Sequence, residues 1–117
     1  MRHVVDEQEG HTGKPLTEPV FLILVSLTDQ PRHGYALLRD VQEISNERVI
    51  LSTGTLYGAL RRLLEEGLIE RFQQKDKSRD KQAYKLTREG RRQVQLEVER
   101  MKRLTRAAAA RLKEREA

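Results

Sequence analysis

No cysteine occurs among the 117 residues. Disulfides and thiolate metal sites are therefore excluded, and a reducing compartment is the natural setting. Tryptophan is also absent, and the aromatic complement is three tyrosines and two phenylalanines. The longest apolar run, Val20 to Val25, is far too short to cross a bilayer, so no membrane partner is expected. Nor is there a short basic leader with a small-residue cleavage site, which makes the cytoplasm the expected location. Catalytic constellations are lacking as well. No Ser-His-acid or paired-carboxylate arrangement falls in a plausible cleft, and Gly54 and Gly58 do not make a phosphate-binding loop. His3 and His11 have no third ligand nearby, so no metal site is read there. Neither an enzyme nor a cofactor is expected.

What is present is charge. Charged residues make up 35% of the chain, with a formal net charge of +5 and a pI near 9.8. The excess has a location: residues 71–92 hold nine basic and three acidic side chains, a local +6. An anionic partner fits such a segment. The length suits one domain, or one domain plus a tail, and a core of this modest size often needs an oligomer partner.

In chain order, residues 1–16 mix charge, glycine and histidine without periodicity and read as a loose arm. Thr17 can cap a helix whose first turn holds Glu18 and Pro19. Val20 to Val25 with Leu27 are apolar on nearly every face, which fits a helix enclosed in a core or between subunits. After Asp29-Gln30-Pro31, a second amphipathic helix follows His33-Gly34-Tyr35. It places Leu37, Leu38, Val41 and Ile44 inward and Arg39, Asp40 and Glu43 outward. His33 at its entry suits a structural or capping role. Asn46-Glu47-Arg48 is a turn, and Val49-Ile50-Leu51 could form a small strand.

The stretch Ser52 to Ile69 organises the rest. Ser52, Thr53 and Thr55 offer oxygens to the free amides of a helix start. Leu56, Leu60, Leu63 and Leu64 recur at helical spacing, and Gly67 supplies the stop. The opposite face carries Gly54, Thr55, Gly58, Arg61 and Arg62. Two readings stand for that face. It is a low cationic ridge that can lie against a phosphate backbone, or a solvated surface with Arg61→Glu65 and Arg62→Glu66 pairs.

Leu68 to Gln73 and Ala83 to Leu86 read as a β-hairpin with a charged tip from Lys75 to Lys81. Thr87 then caps a long helix in which Gly90 costs roughly 1 kcal/mol relative to alanine. Val94, Val98, Met101, Thr105, Ala108 and Leu112 form a heptad seam along it, suited to dimerisation. The expected fold is mainly α with a small β-hairpin (α+β). Residues 17–87 would form a winged helix-turn-helix, and 88–117 a C-terminal dimerisation helix. In that arrangement the third helix enters a major groove, and the wing lies over flanking phosphate or minor groove.

Four blocks in this order carry a family resemblance: His33-Gly34-Tyr35, Ser52-Thr53-Gly54-Thr55-Leu56-Tyr57, Leu60-Arg61-Arg62-Leu63 with Glu66-Gly67-Leu68-Ile69, and Tyr84-Lys85-Leu86-Thr87 with Glu89-Gly90. Over residues 17–95 the chain resembles the PadR family of bacterial transcriptional regulators, in its short form with a single C-terminal helix. The resemblance implies a homodimeric repressor on a palindromic operator in double-stranded DNA, with a small aromatic effector sensed by some members. Carried onto this chain, it implies DNA contacts from Ser52, Thr53, Thr55, Tyr57 and Arg61 or Arg62, with Lys75, Lys77 and Arg79 in the wing. Tyr57 can equally serve to pack, with its hydroxyl reaching a phosphate.

Two departures stand out. Gly58 occupies a position that is commonly proline in the family, and the wing lacks the usual glycine-rich arginine loop. Asp76 and Asp80 in that wing repel phosphate, so only part of the local +6 can face DNA. Without tryptophan, stacking of a flat effector between subunits has little support in this sequence. The rival function is a winged helix that binds protein instead of DNA, since the fold alone does not fix the function.

Overall fold

The structure is a computed structural model that describes residues 15–73 and 82–116. Its elements run α1 (Glu18–Ser26), β1 (Arg32–His33), α2 (Gly34–Ile44), α3 (Thr53–Glu65), β2 (Ile69–Phe72), β3 (Ala83–Leu86) and α4 (Arg88–Glu116). The strands form one antiparallel sheet in the order β1-β3-β2. This is a winged helix-turn-helix whose last helix is the longest element.

The helices α1, α3 and α4 start where a side chain takes a free backbone amide. Thr17 Oγ1 accepts from Val20 N–H at 3.3 Å, and Thr87 Oγ1 accepts from Gly90 N–H at 3.0 Å. The end of α3 is equally defined. Gly67 has φ +76°, Gly67 N–H donates to the Leu64 carbonyl, and Leu68 N–H donates to Leu63. These two bonds satisfy the last carbonyls of the helix and turn the chain into β2. Asn46, at φ 60°, ends α2 in the same manner.

The core gathers Leu22, Ile23, Leu24 and Leu27 of the α1 segment with Leu37 and Val41 of α2. Leu56, Leu60 and Leu63 of α3 join them, with Leu68, Ile69, Tyr84 and Leu86 from the sheet region and Val94 of α4. Burying each leucine contributes about 1.5–3 kcal/mol. Leu16, inside the segment read as a loose arm, packs against this core.

Several expectations are corrected. Val49 to Leu51 is not a strand. The third strand is β1, which pairs Arg32 with Tyr84 and His33 with Ala83, so that edge of β3 is already filled. His33 precedes α2 but its side chain makes no capping bond; its place is in the sheet. Ile44 is exposed. Asp40 faces inward, because buried Ser26 donates its hydroxyl to Asp40 Oδ2 at 2.7 Å. Arg32 completes this link, donating Nε–H to the Ser26 carbonyl at 2.7 Å with Asp40 3.7 Å away.

Gly90 is a close-approach residue and not merely a weak helix start. A Cβ there would lie 2.1 Å from the Leu68 carbonyl oxygen. That oxygen accepts from Thr87 N–H at 3.1 Å, while Thr87 Oγ1 donates to the Gly67 carbonyl at 2.7 Å. Thr87 thus joins the end of α3 to the start of α4, and Gly90 lets the two backbones meet.

Candidate nucleic-acid interface

Leu56, Leu60 and Leu63 point into the core, and their burial sets how α3 is rolled. Ser52, Thr53, Gly54, Thr55, Gly58, Arg61 and Arg62 consequently lie exposed on its other side. Ser52 caps the helix, its Oγ accepting from Thr55 N–H at 3.1 Å. The same hydroxyl donates to Thr55 Oγ1 at 3.0 Å, which holds the Thr55 side chain at the helix start. A Cβ added at Gly54 or Gly58 would meet nothing within 4 Å, and neither glycine has a positive φ. Packing and backbone geometry therefore do not require these glycines. They leave a low strip beside two guanidinium groups. Among the described residues, neither Arg61 nor Arg62 is held in an ion pair within 4 Å.

Tyr57 is placed between two roles. Its hydroxyl sits over Gly34, where a Cβ would be 2.2 Å from the oxygen and 2.8 Å from Cζ. The ring therefore packs on the first turn of α2, and 43% of the residue stays exposed. Tyr84 lies close behind it. Burial and then the neighbouring Tyr57 phenol raise the Tyr84 phenol above its ordinary pKa, while Arg71 opposes them.

Two further residues, Arg71 and Tyr35, lie near Tyr57 through its neighbours Tyr84 and Gly34. Arg71 is exposed on β2, directly opposite Tyr84 in the register. Strand alternation was its signal, since Arg71 and Ile69 are two residues apart and share a side of the sheet. Tyr35 is 68% exposed beside Gly34, with the Arg39 guanidinium 5.8 Å over its ring. Lys75, Lys77 and Arg79 lie outside the described residues.

The seam residues of α4 divide. Val94 is buried within the chain's own core and offers little to a partner. Val98 and Met101 are half-buried, and Thr105, Ala108 and Leu112 are exposed. Phe21 of α1 joins Val98, Met101 and Thr105 in lining a groove of about 490 Å³, rimmed by Lys102 and Arg106. Among the described residues no cluster of three or more metal-ligating side chains occurs. No helix among them is long and apolar enough to cross a membrane.

The sequence profile of the transcriptional regulator PadR-like family matches residues 23–96. An uncharacterized 37.1 kDa protein in transposon TN4556 of Streptomyces fradiae is 37% identical over 84 residues. That match takes in 72% of this chain but only 23% of the other protein, so the chain spans about a quarter of its length. Among solved structures, a PadR family transcription regulator from Clostridium difficile R20291 superposes with TM-score 0.70 at 21% identity, covering 82% of this chain and 99% of that one. One from Eggerthella lenta DSM 2243 gives 0.60 at 29% identity, covering 81% and 80%. Bacillus subtilis PadR in complex with operator DNA gives 0.57 at 22% identity, covering 65% and 44%.

Proposed function

Because the chain belongs to the transcriptional regulator PadR-like family, we propose that it is a sequence-specific DNA-binding regulator, acting as a homodimeric repressor on a palindromic operator. The observation that carries this reading is the outer face of α3. Gly54 and Gly58 are open and structurally unneeded there, and Thr55, Arg61 and Arg62 stand beside them. A face without side-chain bulk lets a helix settle into a major groove, where arginine reaches guanine or phosphate. Tyr57, Tyr35 and Arg71 flank it and suit the backbone on either side. By the family resemblance, Lys75, Lys77 and Arg79 would add phosphate contacts.

A partner copy would cover the apolar line of Val98, Met101, Thr105, Ala108 and Leu112. Two copies related by a two-fold axis then present two α3 helices to half-sites about one turn, roughly 34 Å, apart. A small aromatic effector would act in the groove against Phe21, whose volume suits a small ligand.

Capture of genomic DNA fragments by the purified protein, followed by sequencing, tests the reading. It should enrich a palindromic site, and Arg61→Ala with Arg62→Ala should abolish the enrichment. Failure to enrich any sequence, with no salt-dependent binding to duplex DNA, would leave the protein-binding alternative.

A further inference from the structure

The net charge of the chain lies wholly beyond the wing. Residues 1–87 hold 13 basic and 13 acidic side chains, whereas residues 88–117 hold ten and five. Within the first segment, residues 71–87 hold six basic and two acidic side chains, so the long-range pull on an anion has two sources, the wing segment and α4.

That charge is ordered along the helix. At about 100° per residue, Arg88, Arg92, Arg103, Arg106 and Lys113 fall within a sector roughly 80° wide. Glu99 is the one acidic residue in it. The five basic residues are all exposed. From Arg88 to Lys113 the stripe runs about 37 Å along the axis. Arg88, Arg92, Arg103 and Lys113 lie off the line of Val98, Met101 and Thr105, and only Arg106 also edges the groove beside it, so a partner copy on that line leaves most of the stripe open. Arg92 pairs with Glu89 at 3.2 Å. Among the described residues, Arg103, Arg106 and Lys113 have no ion-pair partner within 4 Å. Attraction to the C-terminal end of the helix accounts for Lys113 in the last turn. It does not account for Arg103 and Arg106, which lie outside the range of that effect.

We infer that the outer face of α4 is a second contact surface for the phosphate backbone of duplex DNA, independent of sequence and separate from α3. The inference rests on the DNA-binding reading only for the identity of the polyanion. Duplex DNA carries one charge per about 1.7 Å of axis, so a line of cations laid against it sits in a strongly negative field along its whole length. Four of the five residues are arginines, which suit bidentate phosphate contact. Such a surface adds affinity on any duplex and leaves discrimination to α3.

The test replaces Arg103, Arg106 and Lys113 together with glutamine in the full chain. The variant and parent are titrated with a random-sequence duplex and with the enriched operator across a salt series. The slope of log affinity against log salt should fall by about two to three. Random-duplex affinity should drop at least fivefold, and the operator-to-random ratio should hold within twofold. Helical circular dichroism and light scattering should match the parent. If the helix melts, Arg103→Ala with Arg106→Ala replaces it and should lower the slope by about two. An unchanged slope overturns the inference, leaves the α3 reading intact and turns attention to an acidic protein partner. A lost ratio with an intact slope also overturns it. A parent that binds neither duplex at low salt overturns both readings.

Discussion

Gly58→Ala and Gly90→Ala add the same methyl group to two helices and should move stability in opposite directions. At Gly58 the new Cβ meets nothing within 4 Å. Only intrinsic helix preference operates there, about 0.8–1.0 kcal/mol in favour of alanine. At Gly90 the Cβ would sit 2.1 Å from the Leu68 carbonyl oxygen and 2.8 Å from Leu86 Cδ1. The Leu86 methyl can rotate away. The Leu68 carbonyl cannot, because Leu68 N–H is bonded to Leu63 at 3.0 Å and its oxygen receives Thr87 N–H at 3.1 Å. A carbon–oxygen contact needs roughly 3.3 Å, so the start of α4 must retreat by about 1 Å. That strains the packing by about 1–3 kcal/mol. It also weakens the Thr87 bonds, each contributing about 0.5–1.5 kcal/mol. After the helix preference is offset, Gly90→Ala should lose about 1.5–3 kcal/mol. At about 4–8 °C per kcal/mol, Gly58→Ala should melt several degrees above the parent and Gly90→Ala at least 6 °C below it. Circular dichroism melts at one fixed protein concentration read both. A Gly90→Ala protein as stable as the parent would refute the close approach of α4 to Leu68.

Three further outcomes are expected. Val98→Glu with Met101→Glu places charge on the apolar line of α4, costs several kcal/mol of association, and should give a monomer by light scattering at micromolar concentration; a persistent dimer would move the interface elsewhere. Replacing Lys75, Lys77 and Arg79 with alanine should weaken operator and random-duplex binding together and lower the salt slope by about two to three, as lysines and arginine on phosphates require; selective loss of the operator would contradict that. Gly34→Ala should displace the Tyr57 hydroxyl, so its stability cost should largely vanish in a Tyr57→Ala background, giving a coupling of about 0.5–1 kcal/mol in a double-mutant cycle.

The parts of this fold legible in the sequence are those fixed by neighbours in the chain. Thr17, Ser52 and Thr87 cap helices through amides three residues on, and Gly67 ends α3 through its own backbone angle. What escaped depends on distant partners. Asp40 lies at an outward position by periodicity, yet Ser26, fourteen residues away, turns it inward. The two residues of β1 carry no strand signal of their own and are ordered by β3. Gly90 shows only a helix penalty in sequence, since its neighbour Leu68 is supplied by the fold. Periodicity alone also cannot separate a residue packed within the chain from one packed against a copy. Val94 belongs to the first kind, while Leu112, at the other end of the same seam, is 65% exposed. For the candidate site, the leucine spacing of α3 was enough to place Gly54, Gly58, Arg61 and Arg62 outward. Arg71 and Tyr35 emerged only once the sheet and α2 were set beside it.

Gly58→Leu tests most directly whether the open face of α3 meets DNA. Leucine restores helix preference and finds no neighbour within 4 Å of its Cβ, so the melting point should stay level or rise. The same side chain should hold α3 off the groove and reduce operator affinity at least tenfold, about 1.4 kcal/mol. Gly58→Ala should show the stability gain with a smaller binding loss. Operator binding by Gly58→Leu as tight as the parent's would contradict that contact, and the roles of Gly54, Thr55 and Arg62 would fall with it.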